Sequence, residues 1–425
     1  MPLPFIASLV FEGLPPWFPD PYLLLKSGTA LSALAATKWY SSGRLNTSER
    51  KLHGRVVLLT GGTSGIGAAV AQELASRGAQ LVLLTRHEQA DPFLVEYIQD
   101  LRERTNNHLI YAETCDLSSL YNIRKFATKW IDNSPPRRLD MIVLCASTLT
   151  PPGGKRTETE EGIETTWMVN YLANFHLLGI LSPAIKAQPF DRDVRIVIPT
   201  CSSYIGSPKL EMNQVLDSKY WTPGKAYARS KLAMMVFAKA FQKHLDAYKR
   251  PDGLPMNAKV VIVDPGFART PGMRRWLTRG SLLGLMLYMI FYLFAWLFLK
   301  SPFMAAQSFL YAAMDGIFIR VPGGKLVKEC IEVDCARKDV EDEEVAKKLW
   351  EGSDKLIETV EKESAIKRAK LKQKEKEKEE EKKSAEQVEE IEALINTIKK
   401  GKAKESTKKN SGADKKSKTP GKEAK

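Results

Sequence analysis

The run at residues 56–79, VVLLTGGTSGIGAAVAQELASRGA, joins a strand, a glycine turn and a helix without a linker, and this constrains the rest of the chain. Residues 56–59 form an uninterrupted apolar run, the pattern of a strand buried on both faces. Ile66, Val70 and Leu74 then recur at helical spacing. Between them, Gly61, Gly65 and Gly67 stand where a backbone must turn sharply, approach a pyrophosphate closely and let a helix lie tight on a sheet. Thr63, Ser64 and Ile66 complete the turn, and the amide groups at such a helix start suit a phosphate. A glycine turn alone is a weak signal, so the remaining chain has to agree with it.

It does so in order. Short apolar runs predict strands at 81–84, 110–115, 141–144, 195–200 and 259–263, separated by stretches long enough for crossover helices. That alternation predicts an α/β fold, a doubly wound parallel sheet of Rossmann type. The second strand ends at Thr85, Arg86 and His87. A site that prefers NAD places a carboxylate there for the ribose hydroxyls, whereas an Arg pairs with the extra phosphate of NADP. Arg86 has no acid immediately beside it, which points to NADP(H).

The stretch 226–232, AYARSKL, carries Tyr227 and Lys231 four residues apart and therefore on one helical face. An isolated tyrosine titrates near ~10 and is a poor acid or base at neutral pH, and a nearby ammonium favours its phenolate. The spacing, with a cationic oxidised nicotinamide beside it, therefore predicts a tyrosine tuned toward working range as an acid or base.

The TGxxxGxG spacing, the serine pair at the end of the fifth strand and YxxxK, in this order, resemble the short-chain dehydrogenase/reductase family from about residue 52 to about residue 356. The longer gap between Ser203 and Tyr227, with LAMMVFAKAF after Lys231 and KLWEGSDKL at 348–356, is similar to its retinol-dehydrogenase-like branch. The resemblance implies that Ser203 hydrogen-bonds the substrate oxygen, that Lys231 also holds the cofactor ribose and that Asn170, in GIETTWMVNYLANFHLL, anchors the proton path. It also implies that Asp116 and Leu117 lie against the adenine, that Ala146 lines the nicotinamide side, and that the Pro265 and Gly266 turn and Thr270 reach the carboxamide. One departure is plain: where the family has NNAG, this chain has Leu144, Cys145, Ala146 and Ser147.

Residues 1–40 are apolar but broken by Pro15, Pro16, Pro19 and Pro21 and by Glu12 and Asp20. Their first basic residue is Lys26, so a secretory leader is not expected. Residues 1–50 read either as a strap over the folded domain or as an interfacial anchor using Phe5, Phe11, Trp17, Phe18 and the leucines at 23–25.

A second apolar stretch, GSLLGLMLYMIFYLFAWLFL at 280–299, is twenty residues without a charge between Arg279 and Lys300. As one helix it would be about 30 Å long, enough to cross a bilayer. Yet the family pattern resumes after it, with a helix at 300–314 and a closing strand at 326–333. A crossing would divide one sheet across the membrane, at a large cost in unpaired backbone groups. The expectation is a segment that dips into one leaflet or lies flat, covering the substrate pocket.

The net charge of +14 resides half in residues 361–425, which hold 21 basic and 14 acidic side chains. This reads as a solvated Lys/Glu helix, with Val388, Ile391, Ile395 and Ile398 at helical spacing, followed from Gly401 by a disordered tail. Attraction of the tail to anionic lipid is the alternative. No aromatic residue interleaves the basic run, so nucleic acid is not an expected partner. Five cysteines without CxxC spacing suit a reducing compartment and suggest no metal site.

The domain plan is 1–50, 51–360 and 361–425. The expected activity is NADP-dependent interconversion of an alcohol and its carbonyl on an apolar substrate, at the cytosolic face of the endoplasmic reticulum or a lipid droplet, with oligomeric state open. The rival expectation is a catalytically weak membrane-bound scaffold acting through its lysine-rich tail.

Overall fold

The computed structural model describes residues 20–410 and divides the chain into two units, Met1–Glu358 and Thr359–Lys425. The first unit is built on an eight-stranded sheet ordered β3-β2-β1-β4-β5-β6-β7-β8. Its strands are β1 (Val56–Thr60), β2 (Gln80–Thr85), β3 (Ile110–Thr114), β4 (Met141–Leu144), β5 (Val194–Pro199), β6 (Ala258–Asp264), β7 (Lys325–Lys328) and β8 (Ile331–Val333). The first seven are parallel and β8 is antiparallel to β7. The order reverses between β1 and β4, which opens a crevice at the carboxyl ends of these strands, where ligands bind in doubly wound folds.

Ten longer helices accompany the sheet in this unit: α1 (Pro21–Ser42), α2 (Gly65–Ser76), α3 (Pro92–Thr105), α4 (Leu120–Ile131), α5 (Thr165–Lys186), α6 (Pro223–Asp246), α7 (Pro271–Leu277), α8 (Leu282–Ile290), α9 (Tyr292–Phe298) and α10 (Pro302–Met314). Local chemistry sets their ends. Asp91 accepts a hydrogen bond from Phe93 N at the start of α3, with Pro92 in the first turn, and Asn106 closes that helix at φ 50°. Ser119 caps α4, whose buried Leu120, Ile123, Phe126, Ala127 and Trp130 keep the spacing of a single apolar face. On one face of the sheet, α2 and α10 join the strands in a core containing Val70, Leu74, Val143, Phe309 and Leu310. On the other, Tyr171, Phe175 and Phe237 pack with Trp350, and Tyr171 Oη and Ser353 Oγ share a hydrogen bond of 2.8 Å.

Two segments differ from the sequence reading, and a third gains detail. The expected single strand at 326–333 is a hairpin, because Glu329 and Cys330 both adopt positive φ (53° and 57°) and turn the chain back. The helix at Asn170 begins at Thr165, since Gly162 sits in a preceding turn at φ 80°, and it runs on to Lys186. This helix is the one span among the described residues long and apolar enough to cross a membrane, but 72% of its most apolar 18-residue window is buried in the fold, so its apolar character serves the core. Finally, 280–299 is not one helix. It breaks at Phe291 into α8 and α9, and the nine residues of α8 reach only about 14 Å.

Beyond Thr359, the second unit continues a helix that spans Glu343–Asn410. It passes Gly401, where the sequence suggests a disordered tail, and 402–410 holds neither proline nor glycine to stop it. Phe5, Phe11, Trp17 and Phe18 lie outside the described residues.

Burial of ionisable groups in this core gives an alkaline limit to stability. Burial, with Asp116 beside it, pushes the Cys115 thiol from 9.0 up to about 12. Burial likewise pushes the Tyr97 phenol from 10.0 up to about 12, aided by Asp100 and opposed by Arg104. Above pH 9 the unfolded chain sheds protons that the folded chain retains, so stability present below that pH is lost as pH rises toward 12. The heat-unfolding midpoint is expected to drop by several degrees between about pH 9 and about pH 10.5. Cys115→Ala should soften the drop, and an unchanged slope in a calorimetric pH series would refute this origin.

Candidate active site

The glycine turn is shaped by its neighbours. Gly61 has φ 66° and lies so close to β4 that a Cβ there would meet Ala146 N at 2.7 Å, and a Cβ on Gly67 would meet Gly61 O at 2.1 Å. Gly65, at φ 58°, rests against the Thr270 side chain. Ser64 stands at the N-cap of α2 in extended conformation with no side-chain cap bond, leaving the helix start open beside Thr63 and Ile66. Tyr97 Oη donates to Gly62 O at 2.7 Å and holds the turn from α3. That contact has no signal in the sequence.

The altered segment after β4 is anchored from β1. Thr60 Oγ1 accepts from Cys145 N (3.1 Å) and Ala146 N (3.2 Å), and Thr60 O also accepts from Cys145 N at 3.1 Å. These bonds steady the strand end without the family's asparagine. Ser147 Oγ donates to Asn170 Oδ1 at 3.2 Å. Asn170 is buried in a single π-helical turn, Met168–Leu172, a distortion often found at functional sites. Its Oδ1 also accepts from Thr148 N (2.7 Å), while its Nδ2 donates to Thr148 O (2.9 Å) and Ser230 Oγ (3.2 Å).

The two serines after β5 separate into different roles. Ser202 Oγ donates to Asp264 Oδ2 at 2.7 Å and accepts from Lys328 Nζ at 3.3 Å. Ser203 Oγ instead lies 2.7 Å from Cys201 Sγ, and Cys201 and Ser147 both lie against the Tyr227 hydroxyl. Asn170, Ser203, Tyr227 and Lys231 thus converge through Ser147 and Cys201, two side chains that motif reasoning leaves out.

Electrostatics here reverse one expectation. Lys231 Nζ stands over the Tyr227 ring, 5.4 Å from its centroid. The Tyr227 pKa is raised well above its ordinary value, first by burial, then by Cys201 as a nearby charge and hydrogen-bond partner; Ser147 opposes this and Asp264 adds to it. Burial also lowers the Lys231 pKa, against Cys201, Cys145 and Asp264. Burial, and not the ammonium above the ring, therefore sets the state of the phenol, which keeps its proton.

The remaining candidates line the same end of the sheet. Arg86 is exposed just beyond β2 and makes no ion pair among the described residues. Asp116 Oδ1 accepts from Ser118 N (2.8 Å), and Leu117 is nearly buried beside it. Gly266, at φ 74°, donates its N–H to Asp264 Oδ1 (2.9 Å), and Pro265 O faces Lys300 Nζ at 3.5 Å. Thr270 Oγ1 accepts from Met273 N (3.2 Å) as the cap of α7, which leaves its O–H able to donate elsewhere.

These residues fit a dinucleotide. Two glycines admit no Cβ, an uncapped helix start offers amide donors, and the buried Lys231 ammonium has no hydrogen-bond partner among the described residues.

Comparison with known proteins agrees. A family model described as short chain dehydrogenase matches residues 55–279. The chain is 45% identical over 377 residues to the uncharacterized oxidoreductase pbr1 of Schizosaccharomyces pombe, covering 87% of this chain and 99% of that protein. It is 32% identical over 339 residues to retinol dehydrogenase 13 of Homo sapiens, covering 79% and 95%. It is 30% identical over 305 residues to polyprenol dehydrogenase of Mus musculus, covering 70% and 82%. Among solved structures, the crystal structure of an uncharacterized protein from Mycobacterium Paratuberculosis matches with a TM-score of 0.53 at 22% identity, over 74% of this chain and 98% of that one, a likeness of fold. The chain belongs to the short-chain dehydrogenase/reductase family, as an oxidoreductase of its retinol-dehydrogenase-like branch.

Proposed function

We propose that this protein is an NADP(H)-dependent oxidoreductase that interconverts an alcohol and its aldehyde or ketone on an apolar, lipid-like substrate, at the cytosolic face of the endoplasmic reticulum or a lipid droplet. The observation that carries the reading is the convergence of Tyr227, Lys231, Ser203 and Asn170 beside the glycine turn. Relatives named for retinol and polyprenol, both apolar alcohols, support the substrate class. The apolar segment 280–299 supports the location.

The turn at Gly61, Thr63, Ser64, Gly65, Ile66 and Gly67 would hold the pyrophosphate, Arg86 the extra phosphate, Asp116 and Leu117 the adenine, and Lys231 the ribose. Ala146, Pro265, Gly266 and Thr270 would line the nicotinamide side. When bound, the nicotinamide supplies or accepts the hydride at the carbonyl carbon. The chain's own side chains handle the oxygen: Ser203 Oγ donates to it, and Tyr227 Oη delivers a proton in reduction or receives one in oxidation. Asn170, held by Ser147 and Thr148, would position the water through which that proton is replaced.

Cofactor binding tests the reading without the right lipid being known. NADPH and NADH are titrated into the full-length protein in detergent, beside Arg86→Ala. NADPH is expected to bind more tightly, and Arg86→Ala should weaken it about ten- to a hundredfold while leaving NADH nearly unchanged, the loss of one charge-assisted phosphate contact. A folded sample that binds neither nucleotide would overturn the proposal. Equal affinity for the two would remove the assignment of Arg86.

A further inference from the structure

We infer that α1 and the excursion from 270 to 299 form one two-part docking surface for an anionic phospholipid leaflet. This rests on the membrane location proposed above and names its chemistry. The two segments are far apart in sequence but packed together. Lys38 Nζ, on α1, donates to Trp296 O at 2.6 Å and lies 4.9 Å from the centre of the Trp296 ring, and Ser41 Oγ donates to Leu297 O. The chain leaving α1 is tied down as well: Asn46 N donates to Gln307 Oε1 at 3.2 Å, and Ser48 Oγ donates to Asp315 Oδ2 at 2.5 Å. Helix α1 is thus a fixed companion of α9.

What covers this surface follows from its distribution of apolar side chains. Along α8, seven of the nine residues are exposed, Leu282, Leu283, Met286, Leu287, Met289 and Ile290 among them, and they span rather more than half of the helix circumference, with Gly284 and Tyr288 half-buried on the remaining side. A protein groove takes one face of a helix, at spacings of three and four residues. An apolar exposure wider than one such face, continued by Phe291, Leu293, Phe294 and Phe298, is matched by a medium that needs no groove, which is lipid. Its length of about 14 Å is close to the hydrocarbon depth of one leaflet. Trp39 and Tyr40 on α1 are 82% and 84% exposed, and residues of this type favour the membrane-water boundary.

Charge selects the kind of leaflet. No acidic residue occurs from 21 to 48 or from 265 to 314. The same stretches carry Lys26 and Lys38 on α1, with Arg269, Arg274, Arg275 and Arg279 around α7. Arg274, Arg275 and Arg279 are exposed, and Lys26 lies 4.5 Å from the Tyr22 ring centre. Cations of one sign flanking an apolar insertion match anionic head groups at the rim of an inserted helix.

The test is flotation of the full-length protein with vesicles of phosphatidylcholine, with and without phosphatidylserine. Wild type should bind the phosphatidylserine vesicles more tightly. Arg274→Glu with Arg275→Glu should cost about tenfold or more on those vesicles and little on neutral ones. Leu282→Asn with Leu283→Asn should weaken binding to both. Trp39→Ala with Tyr40→Ala should weaken it also, which is what makes the surface two-part. NADPH affinity is measured on each variant. If it is unchanged while flotation falls, the docking surface is supported independently of the catalytic reading; if wild type floats but binds no nucleotide, the catalytic reading fails and the docking surface stands. Equal flotation of wild type and all three variants would overturn the inference by assigning binding to other parts of the chain. A discrete dimer that ignores vesicles would overturn it in favour of a second copy. If the arginine pair does not fold, Lys26→Glu carries the charge test alone.

Discussion

Turnover is expected to fall about a hundred- to ten-thousandfold in Tyr227→Phe, with NADPH affinity unchanged. The phenyl ring keeps the shape of the site and remains beneath Lys231, which stands 5.4 Å from the ring centre. What disappears is the proton held beside Cys201 and Ser147. Steady-state rates on a panel of long-chain aldehydes, together with cofactor titration of the same sample, separate the two quantities. A phenylalanine variant within tenfold of wild type would show that some other group moves the proton. Loss of nucleotide binding instead would show that the hydroxyl supports the cofactor and not the chemistry.

Gly67→Ala should be comparably damaging for a different reason. Its new Cβ would lie 2.1 Å from Gly61 O and 3.1 Å from Cys145 Cβ, so the turn has to move away from β4. Overpacking of this kind commonly costs about 1–3 kcal/mol, which corresponds to a loss of roughly ten- to a hundredfold in nucleotide affinity if the displaced turn is the binding surface. Gly179→Ala, on α5, is the matched control: nothing lies within 4 Å of its Cβ position, so nucleotide affinity should not change. Equal affinities for Gly67→Ala and wild type would remove the pyrophosphate role from this turn.

The features legible in the sequence are those whose cause is local. Buried parallel strands are apolar runs, so β1, β2 and β4 stand where the runs are, and the glycine turn announces itself because its positions tolerate no side chain. The hairpin of β7 and β8 was hidden because Glu329 and Cys330 turn with positive φ although neither is glycine or asparagine. Helix α1 showed no period because its apolar residues are spread around its circumference. Within the site, YxxxK brought Tyr227 and Lys231 together, but the ammonium lies over the ring, and burial governs the phenol. Thr60 and Tyr97 act through partners distant in sequence, so nothing nearby marks them, and Cys201 and Ser147 meet the Tyr227 hydroxyl only in the fold.

The point of departure of the excursion from 270 to 299 has a consequence for how such a protein can diversify. Arg269 N donates to Lys300 O and Lys300 N donates to Phe267 O, both at 2.9 Å, so the segment leaves and rejoins the fold through one backbone bridge. Lys300 then seals the junction from inside, its Nζ 2.9 Å from Glu329. Changing the length of a closed excursion is thermodynamically mild, about 0.6 kcal/mol for each doubling. The excursion is therefore an exchangeable cassette, able to lengthen or shorten while the sheet and the candidate site keep their places.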